Sequence, residues 1–256
     1  MDRKSILLVY AHPDDESFSA GGTIAKYAAQ GVEIRLLCAT RGEAGKTAGV
    51  CEADQLGQIR EAETREAAKV LGIREVHFLD YRDKELSKAD PLEAALKIAR
   101  VVREFRPEVV ITFGPDGSSG HQDHIAIHHY TVSGLKLAAR PDLPELPGEP
   151  FRVPRVYYPA FPSRIKKALG HADSNRSEPD TVIDTAAFAT SKTAALKCHR
   201  TQGGSFNKFL AMGEEKMAYY LGREFFRLDP VVSRCQEPGR GDLFGDCPES
   251  GRAAAN

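Results

Sequence analysis

With 256 residues, 41% of them hydrophobic and 28% charged, the chain has the size and composition of one ordinary α/β domain and is too apolar to be disordered. Its 35 basic and 36 acidic residues are mixed along the sequence and leave a net charge of −1, which excludes the basic footprint of a nucleic-acid binder or an anionic-membrane binder and favours a small-molecule partner. No stretch approaches the roughly 18 apolar residues that a spanning helix needs, so a soluble, cytoplasmic protein is expected.

The first predicted element is a buried strand, Ile6-Leu7-Leu8-Val9, which runs straight into Tyr10-Ala11-His12-Pro13-Asp14-Asp15-Glu16. One imidazole and three carboxylates within five residues would repel and desolvate one another in a plain turn, whereas a divalent cation resolves the conflict. His12 and Asp15 are three apart and can converge on one ion across a turn stiffened by Pro13, leaving Asp14 free to handle protons. A helix is predicted over Thr23–Gln30, with Gly31 as its stop. Val32–Ala39 reads as the second strand, and its polar tip Thr40–Gly45 is expected to face the same crevice, because ligands bind at the carboxyl ends of strands in an open parallel sheet.

Helical spacing follows over Asp54–Leu71, closed by Gly72, and then a short strand, Glu75–Leu79, ending in Asp80-Tyr81-Arg82-Asp83. Asp90 as N-cap and Pro91 at the first position open a helix to Phe105. A fourth strand, Glu108–Phe113, leads through a glycine-rich loop into His121-Gln122-Asp123-His124 and a helix to about Ala139. This rhythm predicts a Rossmann-like α/β fold, a mostly parallel sheet with helices on both faces. Five prolines in 141–154 mark a surface connection; strands at Val153–Ala160 and Thr181–Asp184 and a helix at Ser191–His199 follow, with a variable polar segment, Phe161–Pro179, between the strands. A single domain is placed at 1–227, and the Gly-, Pro- and charge-rich segment 228–256 is expected to be a mobile or loosely packed tail.

A hydrolytic zinc site needs three protein ligands and an open position for water. His12 and Asp15 supply two; on spacing alone His121 and His124 compete for the third. Five cysteines with no C-x-x-C pair suit a reducing compartment. Cys38 reads as a core residue, and Cys235 and Cys247 as either a bridge or free surface thiols. With no tryptophan in the chain, Tyr or Phe must do any sugar stacking.

Together, His12-Pro13-Asp14-Asp15-Glu16 and His121-x-Asp123-His124 resemble the LmbE-like, PIG-L type N-acetylglucosamine deacetylases, including those of mycothiol and bacillithiol synthesis. Supporting motifs are Thr40-x-Gly42-Glu43-x-Gly45, Arg60-x-x-Glu63, Phe113-Gly114-Pro115-Asp116-Gly117 and His199-x-Thr201-Gln202, in the family's order over roughly residues 5 to 226. Gln122 stands where the family usually has proline. The resemblance implies an LmbE-like fold and a zinc hydrolase that removes acetyl from an N-acetylglucosaminyl conjugate, with His12, Asp15 and His124 on the metal. It further implies Asp14 as general base, His121 as the group that stabilises the oxyanion or donates a proton, and Asp123 as its orienting partner. Glu43, Arg60 and Asp80 are candidate substrate contacts, although Arg60 and Glu63 also read as an ordinary i, i+3 helix pair. Iron(II) can occupy the same ligands, a homo-oligomer is compatible with the sequence, and Glu16 reads as a supporting residue. Two rivals are an iron(II) facial-triad enzyme and a non-catalytic sugar-binding module; the β-α rhythm argues against the first, and retention of Asp14 and His121 against the second.

Overall fold

A computed structural model of the chain describes residues 4–162, 178–204, 214–239 and 241–245. Seven strands form one sheet in the order β3-β2-β1-β4-β5-β7-β6: β1 Ser5–Tyr10, β2 Glu33–Thr40, β3 Glu75–Tyr81, β4 Val109–Thr112, β5 Arg155–Pro159, β6 Thr181–Asp184 and β7 Arg223–Leu228. Strands β1 to β5 run parallel to one another, while β7 runs antiparallel to both β5 and β6. The sheet is thus mixed at one edge, and β7 is an element that sequence patterning did not mark.

The described helices include α1 Asp15–Ala29, α2 Leu56–Leu71, α3 Pro91–Phe105, α4 Gln122–Ala138, α5 Ala189–Cys198 and α6 Glu214–Gly222. The order β3-β2-β1-β4 reverses direction after β3. With right-handed crossovers, α1 and α2 must therefore cover one face and the β3-to-β4 connection the other. Accordingly α3 packs on α4, and α1, α2 and α5 pack on one another. Of the strands between them β1 and β4 are buried throughout, as the centre of a sheet covered on both faces requires. The reversal falls between β1 and β4, which opens a crevice at their carboxyl ends, where His12–Asp15 and His121–His124 follow.

Two expectations change. Helix α1 starts at Asp15, eight residues ahead of the expected Thr23. Gly21 and Gly22 do not break it: a Cβ on Gly22 would sit 2.7 Å from Thr185, so the glycine permits close approach of the β6 end to the helix. The segment after β7 is not loose where it is described. Val232, Leu243 and Phe244 are buried, Phe244 packs edge-on to Tyr27, and the Tyr27 hydroxyl donates to Asp242 while accepting the Leu243 N–H. Apolar anchors at 243–244 overcome a composition that otherwise favours solvent. Cys235 is buried and disulfide-bonded, not a surface thiol. Cys247 and most of the expected variable segment, 163–177, lie outside the described residues.

Candidate metal centre

The β1 half of the centre forms where the strand stops and α1 begins. His12 donates its backbone N–H to Asp15 Oδ2 at 2.9 Å, and the Asp14 carbonyl accepts the Ser17 and Phe18 N–H groups at 3.0 Å each, starting the helix. Between them Asp14 has φ 103° and ψ −25°, a conformation that costs a non-glycine residue about 1–3 kcal/mol. The β4 half begins with a helical turn, Gly117–Gly120, before α4. Gly117 has φ +63°, and a Cβ there would lie 2.9 Å from His124 Cβ and 3.0 Å from the Ile125 nitrogen, so only glycine lets this turn lie against α4.

Hydrogen-bond partners fix the imidazole tautomers. His124 Nδ1 is 3.1 Å from the Gly117 carbonyl, which can only accept; Nδ1 therefore carries the proton and Nε2 presents a lone pair. Phe113 stacks on the same ring with centroids 3.9 Å apart and holds its plane. His12 Nε2 is 3.1 Å from both Asp83 Oδ1 and Asp123 Oδ2, so it too is a donor. Its Nδ1 then faces His124 Nε2 at 3.1 Å. Asp15 completes the set, with Oδ1 3.4 Å from His124 Nε2 and Oδ2 3.7 Å from His12 Nδ1. Tetrahedral ligands at 2.0–2.2 Å from a metal stand about 3.3–3.6 Å apart. The two inward nitrogens, once His12 Nδ1 gives up its proton, and a carboxylate at this spacing fit a divalent cation.

The electrostatics match. Burial alone would depress His12, but hydrogen bonds to Asp123 and Asp83, with the charge of Asp15, raise it to about 10. Burial likewise works against the charged forms of Asp83 and Asp123, and the His12 contact overrides it and holds both below the ordinary carboxylate range. Asp14 is pushed up to about 7 by burial and then by the neighbouring Asp15 charge, against the pull of Arg60 and His199.

All three expected ligands converge with Asp14 beside them, and His121 joins them, its ring centroid 4.8 Å from that of His12 and 4.9 Å from that of His124. The expected link between Asp123 and His121 is different. The Asp123 carboxylate faces His12 and accepts the Lys84 and Leu86 N–H groups at 2.7 and 3.2 Å, while the Asp123 backbone N–H donates to His121 Nδ1 at 3.2 Å. His121 is thereby set as the neutral Nε2–H tautomer. Burial and the charges of His12 and His124 lower its pKa, which favours that neutral form.

The three candidate substrate contacts separate. Arg60 is buried behind the β1 turn, donating to the Pro13 and Gly42 carbonyls at 2.5 and 3.0 Å, with Nη2 3.7 Å from Asp14 Oδ2. Glu43 accepts the Asp83 N–H at 2.8 Å. Asp80 points outward, 70% exposed and paired with Arg41. Sequence reading passed over Asp83 in favour of Asp80. No residue pattern separates the two: a break in β2–β3 register and a φ of 61° at Asp80 accompany the turn that brings Asp83 inward. It also left Glu16 without a partner; Glu16 is buried and accepts from His199 Nε2 at 3.0 Å. Among the described residues, two groupings of potential ligands share His12: one with His121 and His124, the other, fully buried, with Asp83 and Asp123.

Fold and centre define a class: a Rossmann-like α/β protein with a buried His–Asp cluster suited to a divalent metal, set at the switch point of its sheet. Known proteins narrow it. The PIG-L family model, GlcNAc-PI de-N-acetylase, matches residues 7–134, which include both halves of the centre. The 1D-myo-inositol 2-acetamido-2-deoxy-alpha-D-glucopyranoside deacetylase of Thermomonospora curvata is 33% identical over 296 aligned residues, covering 96% of this chain and 98% of its own. Among solved structures, the N,N'-diacetylchitobiose deacetylase of Pyrococcus horikoshii superposes with a TM-score of 0.71 at 24% identity, over 90% of this chain and 85% of that one. GalB, the 4-carboxy-2-hydroxymuconate hydratase of Pseudomonas putida, gives 0.68 at 24%, over 91% and 98%. The chain belongs to the PIG-L, LmbE-like family. Because one fold carries both an amide hydrolase and a hydratase, the reaction has to be argued from the centre.

Proposed function

We propose that the chain is a zinc-dependent amidohydrolase that removes the N-acetyl group from an N-acetylglucosaminyl conjugate. The observation that carries this reading is the convergence of His12 Nδ1, His124 Nε2 and the Asp15 carboxylate beside Asp14 and His121. Those three would hold the metal, which when bound supplies Lewis acidity, bringing a water's pKa towards ~7 and polarising a carbonyl. Two nitrogens and one carboxylate suit zinc and also accept iron(II).

Asp14 takes the proton from the attacking water; burial holds it near the pKa a base needs at neutral pH. His121 donates Nε2–H to the oxygen on which charge develops. Collapse expels an amine that needs a proton. His121 has only the Nε2 proton to give, since its Nδ1 accepts from the Asp123 N–H, and losing it would leave an imidazolate; the geometry therefore favours Asp14 as the donor. Asp123 and Asp83 orient His12 and keep its Nε2 protonated. A catalytic domain spanning 1–227 and a cytoplasmic site of action fit this reading; no helix among the described residues is long and apolar enough to cross a membrane.

The test is acetate release by the purified protein from N-acetylglucosaminyl inositol, N-acetylglucosaminyl malate and chitooligosaccharides. At least one is expected to be hydrolysed, with activity abolished by a chelator and restored by zinc. A zinc-loaded protein inert towards the whole panel but active in hydrating an enol acid would overturn the proposal.

A further inference from the structure

The conformation of Asp14 is one that a non-glycine residue does not hold unaided, yet the side chain it carries is the one assigned to the proton. Its N–H donates to Glu16 Oε2 at 3.2 Å. The other oxygen, Glu16 Oε1, accepts from the Ser17 hydroxyl at 2.7 Å and from His199 Nε2 at 3.0 Å. All of these side chains except that of Asp14 are essentially sealed from solvent, with the Glu16 and His199 side chains each 1% exposed.

Both oxygens of Glu16 must accept. An amide at this position would turn a donor towards either the Asp14 N–H or His199, so a carboxylate satisfies both partners and an amide does not. His199 arrives from far along the chain, at the end of α5, and the turn after it is pinned to α2: Glu63 accepts the Thr201 N–H at 3.0 Å and the Thr201 hydroxyl at 2.6 Å. One turn earlier on α2, Arg60 holds the Pro13 carbonyl on the opposite side of Asp14. Among the described residues His199 Nδ1 is buried without a hydrogen-bond partner, so the ring is held through Nε2, which lies 3.0 Å from Glu16 Oε1 and 3.1 Å from Ser17 Oγ.

We infer that His199 is a positioning residue: through Glu16 it locks the Asp14 peptide in its left-handed conformation and so aims the carboxylate at the water. The inference rests on the reading of Asp14 as the base. It gives the His199-x-Thr201-Gln202 and Arg60-x-x-Glu63 motifs a common task, holding the Asp14 turn from its two sides.

The experiment uses the full-length, zinc-loaded protein and compares His199→Leu, His199→Gln and Glu16→Gln by kcat, KM and zinc stoichiometry. A small misplacement of a reacting group costs on the order of 10²-fold, so His199→Leu and Glu16→Gln are expected to lose about 10- to 100-fold in kcat with KM and zinc content unchanged. His199→Gln, whose side-chain amide can still donate to Glu16, is expected to recover most of kcat. If His199→Leu does not fold, the near-isosteric Glu16→Gln carries the test. Unchanged kcat in the folded variants overturns the inference, as does parallel loss of kcat, zinc and substrate affinity, which marks a merely structural role. Failure of the underlying reading looks different: Asp14→Asn would then turn over substrate as the wild type does.

Discussion

The two halves of the centre are held by different physics. On the β1 side, titratable groups sit in a largely buried crevice: Asp14 between Asp15 and Arg60, and Glu16 against His199. On the β4 side, His124 is fixed by a backbone carbonyl and the face of Phe113, and His121 by a backbone N–H. Charge sets proton affinities, which suits the half that exchanges protons. Neutral contacts set direction, which suits the half that presents a lone pair and an N–H donor. His12 joins the two, one ring nitrogen facing His124 and the other facing Asp83 and Asp123.

The largest expected effect sets the halves directly against each other. Asn tolerates positive φ better than most residues, so Asp14→Asn is expected to keep the turn and the zinc while losing the base, a fall of about 10²–10⁴ in kcat. His121→Ala removes one donor to the developing oxyanion, worth about 10²–10³. The discriminating measurement is the pH profile of kcat/KM with zinc saturating. In His121→Ala the rise on the acid side should persist, because Asp14 still has to ionise; in Asp14→Asn it should vanish. If the acid limb disappeared with His121 instead, the assignment of proton transfer to the β1 half would be wrong.

Most of the fold was legible because β1 and β4 are buried on both faces and read as unbroken apolar runs, β2 alternates before it too runs apolar, and α3 is marked by Asp90 and Pro91. The His–Asp cluster was legible because its residue types are chemically implausible without a cation, while the preference for His124 over His121 came from the family resemblance and not from spacing. What escaped was information carried by tertiary contact. The start of α1 was hidden by glycines that a distant Thr185 requires. In β7 the alternation is interrupted by adjacent phenylalanines, and its buried Glu224 makes sense only beside Lys192 and the Gly22 and Thr23 N–H groups. The same limit applied within the site: the family resemblance implied that Asp123 orients His121, whereas the start of α4 sends its carboxylate to His12.

A smaller effect sharpens the joint between the halves. Removing an outer partner of a metal-bound histidine weakens metal binding by about 10- to 100-fold. Asp123 also accepts two backbone N–H groups, from Lys84 and Leu86, and Asp83 one, from Ala44, so both are fixed acceptors for His12. Asp123→Asn is expected to fall at the upper end of that range and Asp83→Asn at the lower, as read by competition with a chromophoric chelator. Equal, negligible losses would mean that His12 is oriented by its own turn alone.

The last prediction concerns the same joint and is the mildest, since it needs no substitution. With the pKa of His12 raised to about 10, a proton competes for Nδ1 throughout the neutral range. The sign follows directly. In the metal-free protein this shift adds stability that is fully present below the ordinary histidine pKa and is lost as the pH rises through about 10. Zinc must displace that proton, so its apparent affinity should rise with pH by about tenfold per unit across the neutral range, with close to one proton released per ion bound. Calorimetric titration of chelator-treated protein in buffers of different ionisation enthalpy measures the release. Asp83→Asn, which leaves His12 one carboxylate fewer, should flatten the dependence at its alkaline end. A pH-independent affinity would show that His12 already presents its lone pair, and that the β1 half imposes no electrostatic barrier to the metal.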